Sequence, residues 1–292
     1  MFKNKKQDHN TPFESHFITI RGNRIHYFDE GDGPVIVLLP SNPYWSFCYR
    51  KVISELTKNH RVIAPDYMGM GLSDKPQLYQ YNLENHIDNL ERIIFELNLE
   101  EITLVMHGWG APIGMGFAQR HPHRISGIIF LNSAAFAVDY LPLRVSLFRI
   151  PKIGSYLIRK FNLYQKCCLN FTGSKKLPKE IRKQYMEPFD CPEHRIGIDA
   201  FIKDVPMDLT HYSYEIMLEI EHGLWMFKEH PVLIIWSVLD WRFPLSTLKH
   251  WKQFYPQAKV KLLKESGALP MEDSPMEMVK YIEDFLKNNN FV

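Results

Sequence analysis

Two spacings of apolar residues alternate along this 292-residue chain. Val35–Leu39, Arg61–Ala64, Ile102–His107, Ile125–Leu131 and Val232–Ser237 are short apolar runs rich in β-branched residues, and such runs predict strands buried on both faces. Lys259–Leu263 is a further short strand. Between these runs the apolar positions recur every three to four residues. In Asn82–Leu97 they are Ile87, Leu90, Ile93, Ile94 and Leu97, one face of a helix. Ala111–Arg120, Ser246–Phe254 and Pro275–Lys287 read the same way. So does Asn42–Lys58, with Pro43 near its start, where a missing N–H costs little. His16–Ile20 and Arg24–Asp29 alternate as a hairpin whose turn is Gly22-Asn23. Strands alternating with helices predict an α/β fold with a mostly parallel, doubly wound sheet.

From Ser133 to about His230 that alternation stops. Aromatic residues, Met and Pro are frequent there, and the pattern reads as short helices without a strand. The expected organisation is a flexible N-terminus at 1–15, a core made of 16–132 and 231–292, and an inserted helical cap at 133–230.

Composition narrows the function classes. The chain is 45% hydrophobic, with 35 basic against 33 acidic residues and a net charge of +2, which calls for no nucleic-acid partner. Lys3, Lys5 and Lys6 precede no apolar stretch, so neither a signal peptide nor a transmembrane segment is expected. Cys48, Cys167, Cys168 and Cys191 have no metal-site spacing and predict reduced thiols in a cytoplasmic protein, with no metal and no cofactor.

In an open parallel sheet, ligands bind where the loops leave the carboxyl ends of the strands. Four such loops carry candidate chemistry. Pro40-Ser41-Asn42-Pro43 offers the Asn42 amide to a ligand, or as a cap for the following helix. Met106-His107-Gly108-Trp109-Gly110 has the form of a sharp strand-to-helix elbow whose central residue carries a nucleophile. That position is Gly108, which has no side chain; Trp109 beside it can turn its indole N–H into the pocket. Asp240, just past a late strand, stands where an acid orients a catalytic histidine, or else caps its own turn and pairs with Arg242. After the last strand, Gly267 and Glu272-Asp273 frame the position of a general base. That position is Ala268, which cannot take a proton.

Several motifs together resemble a known family. Asn42-Pro43, the run Asp66-Tyr67-Met68-Gly69-Met70-Gly71-Leu72-Ser73-Asp74-Lys75-Pro76, His107-x-Trp109-Gly110 and Gly267-x₄-Glu272-Asp273 resemble the haloalkane dehalogenases of the α/β-hydrolase superfamily. Asn132-Ser133-Ala134-Ala135-Phe136, Arg195-Ile196-x₄-Phe201-x₂-Asp204-Val205-Pro206 and Asp240-Trp241-x-Phe243 look more like the β-lactone decarboxylases of olefin biosynthesis. The resemblance implies the α/β-hydrolase fold with its cap, covering about residues 16–288. It implies that Asn42 and Trp109 hold a leaving halide or lactone oxygens, that Asp240 is the triad acid, and that Phe136, Trp241 and Phe243 line the pocket. Asn132 falls where some dehalogenases place an alternative acid. Against that pattern, Gly108 stands for the attacking carboxylate, Ala268 for the base and Pro40-Ser41 for a His-Gly.

His107 is expected to point away from the pocket by strand alternation. The histidines His194, His211 and His222 of the insert, and Ser41, supply no evident replacement. The expectation is a catalytically degenerate member that binds a hydrophobic small molecule or a homologous or pathway protein. The alternatives are a non-covalent lyase or isomerase working through Asp240 and a structural subunit supporting active homologues.

Overall fold

A computed structural model describes residues 12–138, 141–171 and 176–291. Most of the N-terminal stretch expected to be flexible, residues 1–11, lies outside them.

Eight strands form one sheet: β1 (His16–Ile20), β2 (Asn23–Glu30), β3 (Val35–Leu39), β4 (Arg61–Pro65), β5 (Ile102–His107), β6 (Ile125–Leu131), β7 (Val232–Ser237) and β8 (Lys259–Leu263). Their order is β1-β2-β4-β3-β5-β6-β7-β8. The β1–β2 and β2–β4 pairs are antiparallel and the others parallel. Every residue of β5 and β7 is buried, as strands covered by helices on both faces must be. The hairpin turn lies one residue earlier than the sequence suggests. Ile20 already pairs with Asn23, and the loop is Arg21-Gly22, with φ of 51° and 79°. A two-residue turn of this hand needs positive φ at both positions, and Gly22 supplies the second without strain.

The helices of the core are α1 (Arg50–Leu56), α2 (Leu83–Glu96) and α3 (Gly110–Arg120) before the insert, and three more after it. Asn82 caps α2, its side chain accepting from the Asn85 N–H at 2.9 Å. The helix predicted from Asn42 is much shorter. Residues 42–45 form a turn with a cis Asn42–Pro43 bond, and a 3₁₀ turn, Ser46–Tyr49, leads into α1. The local reason is Asp66, whose buried carboxylate accepts from the Ser46 N–H at 2.7 Å, so that group cannot join a helical ladder. The same carboxylate takes the Leu72 N–H and His26 Nδ1, each at 2.9 Å, which fixes the Asp66–Ser73 loop. The Asp66 motif is therefore structural.

Between β6 and β7 the described residues contain helices and no strand: α4 (Leu143–Ser146), α5 (Ile153–Phe161), α6 (Leu163–Asn170), α7 (Lys179–Met186), α8 (Ile196–Lys203) and α9 (Tyr214–Gly223). After β7 come α10 (Leu245–Phe254), α11 (Pro270–Asp273) and α12 (Pro275–Asn288). Polar links hold the insert over the carboxyl end of the sheet, two of them at its α6 and α7 helices. Gln165 donates to the Pro43 carbonyl at 3.3 Å, and the Tyr185 hydroxyl donates to Glu272 Oε1 at 2.8 Å. Glu272 is buried and also pairs with Arg50 and, at 2.9 Å, with Lys51. Burial alone would raise its carboxyl pKa, but these donors outweigh it and hold the group ionised. No helix among the described residues is long and apolar enough to cross a membrane.

Candidate functional site

The β5–α3 junction turns sharply at Gly108, whose φ is +50°. Its N–H donates to the Asn132 carbonyl at 3.2 Å, and its own carbonyl accepts from the Ala111 N–H at 3.1 Å. Gly110 packs on β3: a Cβ there would fall 2.8 Å from that of Leu39, so the last glycine of the elbow is required sterically. At Gly108 the obstacle is Ser41. A Cβ on residue 108 would overlap the Ser41 hydroxyl and lie 2.6 Å from the Ser41 Cβ. The serine Cβ does not move with its χ1, so rotating the hydroxyl away leaves the overlap in place.

Beside the elbow is a cavity of about 110 Å³. Gly108, Trp109 and Pro112 form one wall; Ala134, Phe136 and Val138 follow from the end of β6. The insert contributes Leu141, Val205, Pro206 and Met217, and Phe243 closes the side beyond β7. Trp109 leans on Phe201 of α8, ring centroids 5.2 Å apart. Pockets for drug-sized ligands run to about 300–1,000 Å³, and this cavity is smaller than that.

Three of the residues expected at the ligand do not line this cavity, and each has a polar group bonded elsewhere. Asn42 does not cap α1 and is absent from the cavity wall; its NH₂ donates to the Ile198 carbonyl of α8 at 3.3 Å, and its buried Oδ1 has no hydrogen-bond partner among the described residues. Asn132 is consumed by β7, donating to the Ser237 carbonyl at 3.0 Å and accepting from its N–H at 2.6 Å. Trp241 lies toward the insert surface, its indole N–H donating to the Phe171 carbonyl at 3.1 Å. Of the five residues expected to contact the cavity besides Asn132, the walls keep Trp109, Phe136 and Phe243.

Asp240 and Ala268 are also off the cavity, and one side chain connects them. Arg242 is 8% exposed. Its backbone N–H donates to Asp240 Oδ1 at 2.8 Å, its Nε reaches the same oxygen at 3.4 Å, and its Nη2 reaches Oδ2 at 3.5 Å. That Nη2 also donates to the Ala268 carbonyl and, at 3.2 Å, to His107 Nε2. The guanidinium lies over the rings of Tyr44 at 5.4 Å and Phe243 at 5.8 Å. Burial would lower its pKa, but the Asp240 carboxylate outweighs that and holds the cation above the ordinary arginine value. Since Arg242 only donates, His107 Nε2 accepts, which leaves the ring proton on Nδ1. Burial and the neighbouring Arg242 charge push the His107 pKa well down, so the imidazole is neutral. Burial pushes the nearby Cys168 thiol up to about 12, so it is no thiolate nucleophile.

Arg242, which the motifs do not single out, is the residue joining the Asp240, Ala268 and His107 positions. Its signal was present in Asp240-Trp241-Arg242-Phe243, where pairing with Asp240 is one reading of the aspartate. Among the histidines, His194 is exposed and bonded to Asp190 at 2.6 Å, His211 is bonded to the Lys203 carbonyl at 3.0 Å, and His222 is exposed. None of them lines the cavity. Asp190, Cys191 and His194 bring potential metal-ligand atoms within 4.8 Å of one another on the surface, a grouping that cysteine spacing alone did not suggest.

The fold agrees with similarities to known proteins. Residues 34–275 match the family model described as alpha/beta hydrolase fold. A cis-3-alkyl-4-alkyloxetan-2-one decarboxylase of Shewanella oneidensis is 38% identical, the match covering 94% of this chain and 89% of that protein. A haloalkane dehalogenase 2 of Mycobacterium bovis is 37% identical, with 90% and 92% covered. Among solved structures, a haloalkane dehalogenase from Bradyrhizobium elkani has the same fold, with a TM-score of 0.88 at 21% identity over 95% of this chain and 99% of that one.

Proposed function

The chain belongs to the α/β-hydrolase fold family, on the branch that includes haloalkane dehalogenases and cis-3-alkyl-4-alkyloxetan-2-one decarboxylases, and we propose that it keeps an apolar binding pocket while having lost the covalent chemistry. In this proposal Gly108 stands at the nucleophile position and Ala268 at the base position. Nucleophile and base act as a unit, and losing either removes on the order of 10⁴–10⁶ in rate.

The observation that carries this reading is Arg242. It spans Asp240, the Ala268 carbonyl and His107 Nε2, the region in which a base would be oriented by its acid. A fixed guanidinium there offers no group that accepts a proton. Ser41 completes the change by filling the space a side chain at 108 would need. The reading in which Asp240 serves as a lone acid or base has less support, because Arg242 engages both its oxygens.

The ligand class is a small hydrophobic molecule carrying an acyl, lactone or halogenated group. A cavity of about 110 Å³ is on the scale of the apolar cavities of ~150 Å³ that bind benzene. A long alkyl chain requires the insert to move. The four unpaired cysteines fit a reducing, cytoplasmic setting.

The test is binding without conversion. Thermal shifts with short haloalkanes, alkyl β-lactones and esters should show stabilisation, the ligand should be recovered intact by mass spectrometry, and Ala134→Leu, which fills the cavity, should abolish the shift. No stabilisation by any of these ligands, or an equal shift in Ala134→Leu, counts against the pocket.

A further inference from the structure

The insert carries a charge pattern unlike the rest of the chain. Between Tyr140 and Lys179 lie nine of the 35 lysines and arginines and none of the 33 aspartates and glutamates, so the remainder of the chain is net acidic. The same stretch exposes large apolar side chains. Leu143, Leu147 and Ile150 are spaced as one helical face, and Leu143 is 81% exposed. On α5, Ile153 is 54% and Tyr156 58% exposed, while Gly154 and Ile158 of the same helix are buried against the molecule. Phe161 is exposed and stacks edge-on against Tyr156 at 5.5 Å. Lys152 and Lys160 flank these residues in solvent. No acid lies beside these lysines along the sequence, while in space Asp208 faces Arg149 and Glu193 faces Arg159, which leaves Lys152 and Lys160 as the charges of this face. A run of exposed apolar residues this long on one segment marks an interaction surface.

We propose that this face, α4 through α5, docks on an anionic phospholipid surface. Leu143, Leu147, Ile153 and Tyr156 enter the boundary between headgroups and acyl chains, and Lys152 and Lys160 lie among the headgroups. Apolar residues framed by lysines, on a segment without acids, are the composition of interfacial membrane binding. A second copy of the chain is disfavoured as the occupant, because a symmetric contact would bring two such basic faces together. Leu141, two residues before Leu143, belongs to the cavity wall, so the face lies next to the pocket along the chain. The docking does not depend on what the pocket holds.

Co-sedimentation of the full chain with vesicles tests it. The protein should pellet with phosphatidylcholine vesicles containing phosphatidylglycerol and remain in solution with pure phosphatidylcholine, and salt should weaken the binding. Lys152→Gln with Lys160→Gln should lower the partition constant on the order of 30-fold. Ile153→Ser with Tyr156→Ser should also weaken it while leaving the far-ultraviolet circular dichroism unchanged. Equal partition into both vesicle types, or insensitivity to both pairs of substitutions, overturns the proposal. So does self-association in the absence of lipid that the Ile153→Ser, Tyr156→Ser pair abolishes, since a second copy would then cover the face.

Discussion

Ser41 occupies the space into which a side chain at residue 108 would project: a Cβ on Gly108 would sit 2.6 Å from the Ser41 Cβ and overlap its hydroxyl. The two positions, one after β3 and one after β5, therefore constrain each other.

That relationship predicts coupling. Gly108→Asp alone should destabilise the protein by about 1–3 kcal/mol, from overlap with Ser41 and from a side chain at a φ of +50°. Adding Ser41→Gly should recover part of the loss, with a coupling of about 1 kcal/mol in urea denaturation. Additive losses would mean that Ser41 moves freely. Gly108→Asp with Ala268→His should remain inert, because Arg242 already holds the Ala268 carbonyl and the Asp240 carboxylate.

Arg242 is predicted to be structural as well as obstructive. Arg242→Met leaves Asp240 buried without its cation and should cost about 3–5 kcal/mol. Arg242→Lys should restore little, since one ammonium does not reproduce the guanidinium's fork across Asp240, Ala268 and His107. Arg242→Met combined with Asp240→Asn should lose less than the sum of the two single losses. A full loss in the double variant would show that the pair is not the unit.

Acid stability should depend on His86. Buried against Phe201, with ring centroids 4.4 Å apart, it has its pKa lowered by burial from 6.5 to about 3. A histidine depressed in this way folds as the neutral ring. Its contribution is complete above the unfolded value and is lost as the pH falls from 6.5 toward about 3, at a limiting slope of about 1.4 kcal/mol per pH unit. Asp204 opposes it: burial raises its carboxyl to about 6, so that contribution is present at low pH and is lost as the pH rises through that value. His86→Gln should remove one proton's worth of slope from urea midpoints measured between about pH 6 and 4. An unchanged slope would place the titration elsewhere.

Much of the architecture was legible because it follows from periodicity. β3, β5, β6 and β7 coincide with their apolar runs, β8 with the short strand read at Lys259–Leu263, and α2 with its 3.6-residue face. The errors came from tertiary capture of single groups. Asp66 takes the Ser46 N–H and shortens the helix read from Asn42, and pairing of Ile20 with Asn23 moves the hairpin turn back by one residue. At the site, the sharp turn at Gly108 could be read from its glycines, but the destinations of the Asn42 and Asn132 amides could not. Those amides bond to backbone carbonyls of α8 and β7, partners 156 and 105 residues away in sequence. Arg242 had to be seen in space, because the Ala268 carbonyl that fixes it belongs to a different loop.

Product release decides whether the covalent chemistry is lost. Purified protein is incubated with a cis-3,4-dialkyl-β-lactone and, separately, with a bromoalkane, and olefin and bromide are measured over many hours alongside the Asp240→Asn variant. Release should proceed at the rate of buffer alone for both proteins. Turnover by the native chain that disappears in Asp240→Asn would contradict it.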